Sequence, residues 1–489
     1  MTRRPALLLL SALLLLATLL RVQGLGDEPW LDEIDTHLRV SHLGLARLAT
    51  TYPSQNQHVL YSLLARLSID LLGDSPAAMR VPALLFGVLG IAATYAVGHA
   101  LLSRREALAG AALLAVSEIH VWFSQNARGY TALLFFTMAS TALLLRALAS
   151  DRRRVWIAYG AMLALGCWVH LTMLFVVGGH AILVLRQRIA PSATGDAAPL
   201  RERLREPALG FAVAVVATVL LYAPIARDVL MVTSREGRSG RVAEWSSAGW
   251  AMREIVARLS DSLSRPWVMV AAAACAVAGI VRCARRQRML LELLAMPVAI
   301  GLAVVLGMGH HVWPRLFFFS SGFAALLVAA GAIALGESAA LRMGAVPPTA
   351  HRAGSAVALL LAAGVALGLP GAYGPKQRFG EAVALVEGLV RLGDVVVTEG
   401  RASFVVRRAL DRKWRKLRTA GQLERVRAHA RRTWLVGAFP LQLRGERPEL
   451  ARAIDQHFEL IARFDGTLRG GEVLVWRSRD QSPLDPPRS

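Results

Sequence analysis

The sequence contains few charged residues and few cysteines for its length. Charged residues make up 18% of the 489 residues, whereas soluble globular domains average about 25%. The three cysteines, Cys167, Cys275 and Cys283, lie in or beside apolar segments and form no Cys-x-x-Cys motif. This pattern argues against a disulfide framework and against a metal site built from thiolates.

Several motifs of nucleotide-binding proteins and soluble enzymes are also missing. There is no Walker loop, no Gly-x-Gly-x-x-Gly after a strand, no His-Glu-x-x-His and no Gly-x-Ser-x-Gly. Each of these motifs places backbone or side-chain groups for a defined chemistry, such as the binding of a nucleotide phosphate. The sequence therefore gives no indication of ATP or of a nicotinamide cofactor.

Lysine is nearly absent from the chain. It occurs only at Lys376, Lys413 and Lys416, so almost all of the 56 basic residues are arginine. A net charge of +22 could suggest a nucleic-acid partner. Most arginines, however, lie in short runs between apolar segments, where membrane proteins carry their cytoplasmic charges. We therefore predict a membrane protein that has no nucleic-acid partner.

Apolar residues are abundant. They form 55% of the chain and the mean hydropathy is +0.44, which excludes disordered, collagen-like and coiled-coil proteins. The first apolar run resembles a signal peptide, but no small-x-small cleavage site follows it, so we predict a first transmembrane helix. The runs approach the ~17–25 residues that cross a bilayer, and eleven spans are predicted: 5–20, 81–102, 107–121, 130–148, 155–169, 171–186, 208–226, 266–282, 289–307, 315–335 and 354–370.

The loop arginines predict the orientation of these spans. If the N-terminus is cytoplasmic, every later loop on the cytoplasmic side contains arginine, in agreement with the positive-inside rule. The opposite side then holds 23–80, 122–129, 227–265, 308–314 and the tail from 371. In 23–80, apolar residues at helical spacing predict two helices, which either lie flat at the membrane interface or pack against the bundle.

The tail from 371 lacks long apolar runs. Short β-rich stretches alternate there with helical patterns, which is typical of a small α/β domain. We therefore predict a mainly α fold, a polytopic membrane helical bundle over 1–370, with a small extracytoplasmic α/β domain over 371–489. Strands are expected near 395–397, 434–436, 460–462 and 473–476, and helices near 379–391, 402–411 and 448–458.

Adjacent carboxylates follow the first predicted span. Asp32 and Glu33 lie about ten residues after it, with Asp35 nearby. Acids just outside a membrane can act as a general base or as metal ligands at the level of the lipid headgroups. The alternative is a solvated helix start with Asp32 as the N-cap.

Two single arginines lie between apolar spans on the predicted outer side. Arg128 is the only charge in 124–130, and Arg315 follows the segment 309–314, which contains His310 and His311. The planar guanidinium suits phosphate, although each arginine could instead be a snorkelling residue at a helix end. The adjacent histidines would point about 100° apart on a helix, so loop histidines are favoured over a metal pair.

His170, in an apolar context, is a structural group or a ligand.

These segments together resemble a family of membrane glycosyltransferases. The segment 76–148 resembles the GT-C enzymes related to protein O-mannosyltransferases and the lipid A aminoarabinose transferase. Asp32-Glu33 is similar to their Asp-Glu motif, and 124–130 (Ser-Gln-Asn-Ala-Arg-Gly-Tyr) resembles their Ser-Gln-Glu/Asn-Ala-Arg-x-Tyr. The segment 56–61 (Asn-Gln-His-Val-Leu-Tyr) resembles a divergent Asn/Gln-His-Pro-Pro-Leu-Tyr, without its two prolines and with the histidine displaced by one position.

Further likenesses complete the order of motifs. The segment 78–87, which contains Arg80, resembles the family's entry to the second span; His170 resembles its Thr-His pair, and 313–315 resembles its Pro-Arg-aromatic start. The likeness covers about the first 335 residues.

The resemblance implies a bacterial, inner-membrane inverting glycosyltransferase of the cell envelope. Its donor would be a polyprenyl-phosphate-linked sugar, reached from the membrane lipid, and its acceptor would be the hydroxyl of a glycan, lipid or protein. Asp32 would be the general base, and Glu33 would hold the acceptor or a divalent cation; no other cofactor is implied. Arg128 and Arg315 would bind the donor phosphate. The other residues expected to line the cavity are His58, Tyr61, Arg80, Tyr130 and His170.

Two other classes of protein remain open. A transporter or flippase of lipid-linked sugars could use the same arginines to hold a phosphate, but it has no need of a base such as Asp32 beside the headgroup. No pair of broken helices in corresponding halves indicates a transporter site. A scaffold whose tail binds a partner would tolerate the loss of both Asp32 and Arg128.

Overall fold

A computed structural model of the chain describes residues 3–189, 199–236, 245 and 247–479. These residues form two compact units. The first comprises the described residues of 1–25, 39–237 and 244–373, and the second comprises 26–38 together with the described residues after 373. The predicted fold class, a mainly α membrane bundle with a small C-terminal α/β region, is confirmed.

Helices form the first unit, joined by short 3-10 turns at Ala223–Ile225, Pro314–Ser320 and Leu369–Ala372. Helix α2 begins within the second unit and ends in the first. The helices are α1 (Arg3–Val22), α2 (Leu31–His42), α3 (Leu45–Ala49), α4 (Val59–Leu72), α5 (Pro76–Leu101), α6 (Arg104–Ala115), α7 (Glu118–Ser124), α8 (Tyr130–Ser150), α9 (Arg153–Val169), α10 (Met173–Ile189), α11 (Leu200–Tyr222), α12 (Ala226–Glu236), α13 (Ala248–Leu263), α14 (Pro266–Arg286), α15 (Arg288–Gly307), α16 (Ser321–Arg342) and α17 (Pro347–Ala366).

Within the described residues, eight helical segments are long and apolar enough to cross a membrane, and the bent pair α6–α7 would make a ninth. The predicted spans 155–169 and 171–186 form α9 and α10, each of 17 residues, at the short end of the ~17–25 residues that a crossing needs. The eight segments are Arg4–Val22, Pro76–Leu101, Tyr130–Ser150, Leu200–Ser234, Pro266–Arg286, Arg288–Gly307, Pro314–Arg342 and Pro347–Ala366.

One predicted span is broken. The sequence predicts a single helix over 107–121, but α6 and α7 meet there at 62°. Ser117 caps α7, because its hydroxyl accepts a hydrogen bond from the backbone N–H of His120 at 3.4 Å. A serine that bonds the backbone in this way favours a helix start over continuation.

The helices of the predicted outer segment 23–80 contact the bundle. Tyr61 and Ser68 of α4 donate hydrogen bonds to the backbone carbonyls of Met79 and Ala78 at the start of α5, at 2.8 and 2.6 Å. On the other face of α4, Leu71 is 83% exposed. Helix α4 therefore has one face packed on α5 and an apolar face that is open, which suits an amphipathic helix at a membrane interface.

Glycines bring α14 and α16 into close backbone contact. A Cβ atom at Gly331 would lie 1.8 Å from the carbonyl oxygen of Cys275, and one at Gly279 would lie 2.1 Å from that of Leu327. Small residues allow such an approach in membrane bundles, where van der Waals packing drives helix association.

The second unit is built on a five-stranded sheet of order β2-β1-β3-β5-β4. Strand β1 is parallel to β2 and β3, whereas β5 is antiparallel to β3 and β4. The strands are β1 (Asp394–Glu399), β2 (Arg415–Leu417), β3 (Arg432–Ala438), β4 (Phe458–Phe464) and β5 (Val473–Ser478), and the helices are α18 (Phe379–Leu389), α19 (Ala402–Arg408), α20 (Ala420–Ala428), α21 (Pro440–Glu446) and α22 (Pro448–His457).

The four predicted strands of the tail correspond to β1, β3, β4 and β5. Strand β2 was not predicted, because its three residues include Arg415 and Lys416 and show no apolar pattern. Helices α20 and α21 were also missed, whereas α18, α19 and α22 match the predicted helices to within about three residues.

The segment 26–38 joins the second unit. Trp30, Leu31 and Ile34 are buried in one cluster with residues of α18, α19 and the sheet. The N–H of Leu31 donates to the side-chain oxygen of Gln377 at 3.1 Å, and the Glu28 carboxylate accepts from the N–H of Gly380 at 2.9 Å. The compact unit around the tail therefore includes residues that precede the predicted boundary at 371 by more than three hundred positions.

Prediction from the helix contact: Gly331→Val should force α14 and α16 apart. Overpacking typically costs about 1–3 kcal/mol, so we expect a lower thermal unfolding midpoint of the detergent-purified protein. The matched control is Gly307→Val, because a Cβ at Gly307 meets nothing within 4 Å. Equal midpoints for the two variants would contradict the proposed contact.

Candidate active site

A buried arginine organises the break between α6 and α7. Arg21, near the end of α1, has no solvent exposure. Its guanidinium donates to the carbonyl oxygens of Ala17 and Ala115 at 2.8 and 3.1 Å, to the Ser124 hydroxyl at 3.1 Å and to Nδ1 of His120 at 2.6 Å. A buried guanidinium is tolerated only where such acceptors surround it. Arg21 therefore fixes α7 and the segment that follows it.

The segment 124–130 continues from this break to α8. The Gln125 amide donates to the carbonyl oxygens of Leu20 and Gln23, and the Thr131 hydroxyl donates to that of Ala83 at 2.8 Å. Ser124, Gln125 and Asn126 are buried. The segment is thus held on both sides, which gives Arg128 a defined position.

Arg128 contacts His58. Its Nη2 lies 3.0 Å from Nε2 of His58, and the N–H of Gly129 lies 3.2 Å from Nδ1. Both neighbours are donors, and a neutral imidazole accepts at one nitrogen only. A protonated His58 could accept neither bond. Burial and, secondarily, the charge of Arg128 hold the pKa of His58 well below its usual value.

Gly129 has no room for a side chain. A Cβ atom there would lie 2.6 Å from Nδ1 of His58 and 2.8 Å from Val169. The absence of a side chain therefore lets the backbone N–H reach the imidazole.

Tyr130 and His170 complete a ring cluster around His58. The His58 centroid lies 5.4 Å from Tyr130 and 4.7 Å from His170. Nδ1 of His170 accepts from the N–H of Thr172 at 3.2 Å, and the Arg128 guanidinium lies 5.7 Å from the Tyr130 centroid, within the range of a cation–π contact. Burial, and then the charges of Arg128 and Arg315, lowers the pKa of His170 to about 3. The two histidines are therefore neutral and the arginines carry the charge.

The other candidates of the first unit occupy supporting positions. Arg315 lies in the 3-10 turn before α16 with its guanidinium 5.1 Å from the Trp313 ring, and its charge acts on both His58 and His170. Arg80 is fully buried and donates to the carbonyl oxygen of Leu25 at 2.9 Å. The structure thus brings His58, Arg128, Tyr130 and His170 together, while Tyr61 and Arg80 tie α4 and α5 to their surroundings.

The predicted catalytic acids belong to the second unit. Asp32 and Glu33 lie in the first turn of α2, which begins at Leu31, so Asp32 is not the N-cap that the alternative interpretation requires. Asp32 is half-buried and Glu33 is fully buried. A carboxylate in the first turn is favoured by the helix dipole. In the described part of the chain no three or more His, Cys, Asp or Glu side chains are grouped to hold a metal ion.

Sequence reasoning missed Arg21 and His120. An arginine directly after an apolar run was available as a signal for Arg21, but such residues are common at helix ends. Nothing local in the sequence connects His120 to Arg21, since 99 positions separate them.

A family profile matches part of this chain. The sequence profile of the dolichyl-phosphate-mannose-protein mannosyltransferase family matches residues 56–222, which include His58, Arg128, Tyr130 and His170. A direct comparison with curated proteins finds no match.

Solved structures share the fold. ArnT from Cupriavidus metallidurans in the apo state superposes with a TM-score of 0.51 at 12% identity, over 96% of this chain and 97% of ArnT. The Archaeoglobus fulgidus oligosaccharyltransferase, in complex with zinc and sulfate, gives 0.54 at 11% identity, over 92% of this chain and 71% of that one. This chain therefore shares the fold of these two structures, and its long apolar helices give it a multi-pass helical architecture.

Prediction from the neutral histidines: the protein should lose stability in acid. A buried histidine whose pKa is lowered stabilises the fold fully above its unfolded value of 6.5, and this contribution is lost as the pH falls from there towards about 3. We expect the thermal midpoint of His170→Asn to fall less than that of the wild type between neutral and acidic pH. His99→Asn, at an exposed position in α5, is the control and should follow the wild type. A parallel acid loss in all three proteins would refute the assignment.

Proposed function

We propose that this protein is an integral-membrane inverting glycosyltransferase that moves a sugar from a polyprenyl-phosphate donor to an acceptor hydroxyl. The observation that carries this proposal is the Arg128 guanidinium, held by His58 and surrounded by neutral aromatic side chains. A charge in such surroundings is screened less than in water, so it acts strongly on a nearby anion.

Arg128 would stabilise the leaving group. In the proposed reaction the bond between the anomeric carbon and the phosphate oxygen breaks, and both electrons leave with the polyprenyl phosphate. Negative charge therefore grows on the phosphate in the transition state, and a fixed donor aimed at it lowers the barrier. Arg315 would add a second positive charge, since its charge reaches the same histidines as that of Arg128.

Asp32 would act as the general base. The acceptor oxygen forms its bond to the anomeric carbon as its proton passes to the Asp32 carboxylate, and this single displacement inverts the anomeric centre. Such assistance is typically worth about 10²–10⁴-fold in rate. Glu33 would hold the acceptor or a divalent cation. The burial of Glu33 and the position of both acids in the first turn of α2 support a fixed geometry.

The proposal includes a location. We place the protein in a bacterial inner membrane, with a cytoplasmic N-terminus and with the domain over 371–489 outside the cytoplasm, because the loop arginines follow the positive-inside rule. On this basis the membrane bundle of 1–370, with its outer segment 23–80, is the catalytic part. The acceptor would be a glycan, lipid or protein hydroxyl on the outer side.

Prediction for Arg128: Arg128→Gln should lower kcat for release of polyprenyl phosphate by about 10²-fold or more, the usual effect of losing a transition-state donor. Arg128→Lys should recover part of this rate, because lysine keeps the charge but not the planar fork. Release is measured with purified protein in lipid vesicles and a panel of labelled polyprenyl-phosphate sugars. Arg146→Gln, exposed at the far end of α8, is the control. Unchanged release by Arg128→Gln would remove Arg128 from the reaction.

Prediction for Asp32: Asp32→Asn should abolish sugar transfer and still bind the donor, because the amide cannot accept the acceptor proton. Asp35→Asn, three residues further along the same helix, is the matched control and should transfer at the rate of the wild type. Labelled donor crossing the bilayer equally in wild type and Asp32→Asn, with no transfer by either, would indicate a transporter of lipid-linked sugars instead.

A further inference from the structure

The sheet of the second unit has a topological switch point. Three parallel strands have the order β2-β1-β3. The chain leaves β1 through α19 to reach β2 on one side, and returns through α20 to β3 on the other. The connections from the carboxyl ends of β1 and β3 therefore diverge. In open parallel sheets, ligands bind in the crevice outside the carboxyl ends of the strands at such a point.

A cleft lies at this position. It is lined by Glu399, Gly400 and Arg401, which end and follow β1, and by Phe439, Gln442 and Arg447 beyond the end of β3. The backbone turns sharply on both sides, since Gly400 has a φ of 49° and Phe439 a φ of 57°. A positive φ is a rare conformation for an aromatic residue, and strained residues of this kind cluster at binding sites.

Arg447 leaves a donor unused in the cleft. Its Nη1 is buried and has no hydrogen-bond partner among the described residues. Burial of a guanidinium N–H without an acceptor is unfavourable. An oxyanion in the cleft would accept from it, and Arg401 offers a second guanidinium at the same edge.

Two acidic residues, Glu399 and Glu446, line this cleft. Glu446 is exposed and accepts a hydrogen bond from the Gln442 side-chain amide. Glu399 is 2% exposed, and one of its carboxylate oxygens accepts from the N–H of Ala438 at 3.3 Å. The pKa of Glu399 is raised to about 7, mainly by burial and to a smaller extent by the charge of Glu446, against the opposing effects of the Ala438 N–H, Arg447 and Lys416. Near neutral pH the carboxyl group can therefore carry a proton and donate to an anion.

We propose that this cleft binds a phosphate group, with Arg447 and Arg401 as donors to its oxygens and the Glu399 carboxyl group beside them. Two guanidinium forks and one O–H match the several acceptor oxygens of a phosphate. The phosphate could come from a small solute or from a lipid headgroup. The site uses no residue of the proposed sugar transfer, so either proposal stands if the other fails.

The test is calorimetric titration of the full-length protein in nanodiscs with glycerol 3-phosphate. We expect saturable binding at millimolar concentration or below, weakened about tenfold or more in Arg447→Gln and in Arg401→Gln, the loss expected for a charge-assisted pair. Arg401 is exposed, so its substitution leaves the fold intact. The control is Arg444→Gln, in α21 and close to Arg447 in the chain but paired with Asp455 at 3.0 Å. Absence of binding by the wild type, or equal binding by all three variants, would overturn the site.

Two further arms complete the test. Weaker titration of the wild type in nanodiscs that contain phosphatidylglycerol than in neutral nanodiscs identifies a lipid headgroup that competes for the cleft; equal titration in both identifies a soluble solute. Sulfate, which does not titrate near neutrality, should bind better below pH 7 than above it, and Glu399→Gln should remove this dependence. Dependence that survives in Glu399→Gln would overturn the role of Glu399.

Discussion

Burial of the Arg21 guanidinium is the constraint on which the first unit depends. Its acceptors come from α1, from the end of α6 and from α7, so the charge is satisfied only if these three elements meet. A charge that lost these partners inside an apolar bundle would cost several kcal/mol. The same contacts use the carbonyl groups that the helix break at 116–117 leaves without intrahelical partners. The break is therefore stable, and it turns the polar segment 124–130 towards His58.

The ring cluster around Arg128 also determines the local distribution of charge. His58 and His170 are packed edge to face, and burial, followed by the charge of Arg128, holds both of them neutral. Two neutral rings beside Arg128 leave its positive charge without competition from a protonated histidine. The arrangement suits an anionic ligand. The rings of His58, Tyr130 and His170 form the surroundings, and the Arg128 guanidinium supplies the positive charge.

The second unit is organised by an apolar core and not by a buried charge. Trp30, Leu31 and Ile34 are buried in this core. They belong to a segment that precedes most of the membrane bundle in the sequence. The α2 acids are thereby anchored on a folded core. The parallel half of the sheet adds a crevice at the ends of β1 and β3, a feature of strand order and not of any single residue.

The sequence by itself determined the class of protein, because apolar runs of membrane length and arginine-rich loops are local signals that survive without tertiary information. It also predicted Arg128, His58, Tyr130 and His170 as site residues; the structure brings them together, and their role in a reaction stays a prediction. Only the tertiary structure reveals the partners of Arg21, which hold α6 and α7 at the break in the predicted span 107–121, and the membership of 26–38 in the second unit. These depend on contacts between residues about one hundred to three hundred and fifty positions apart, and such contacts are set by packing, which no local pattern of residues records.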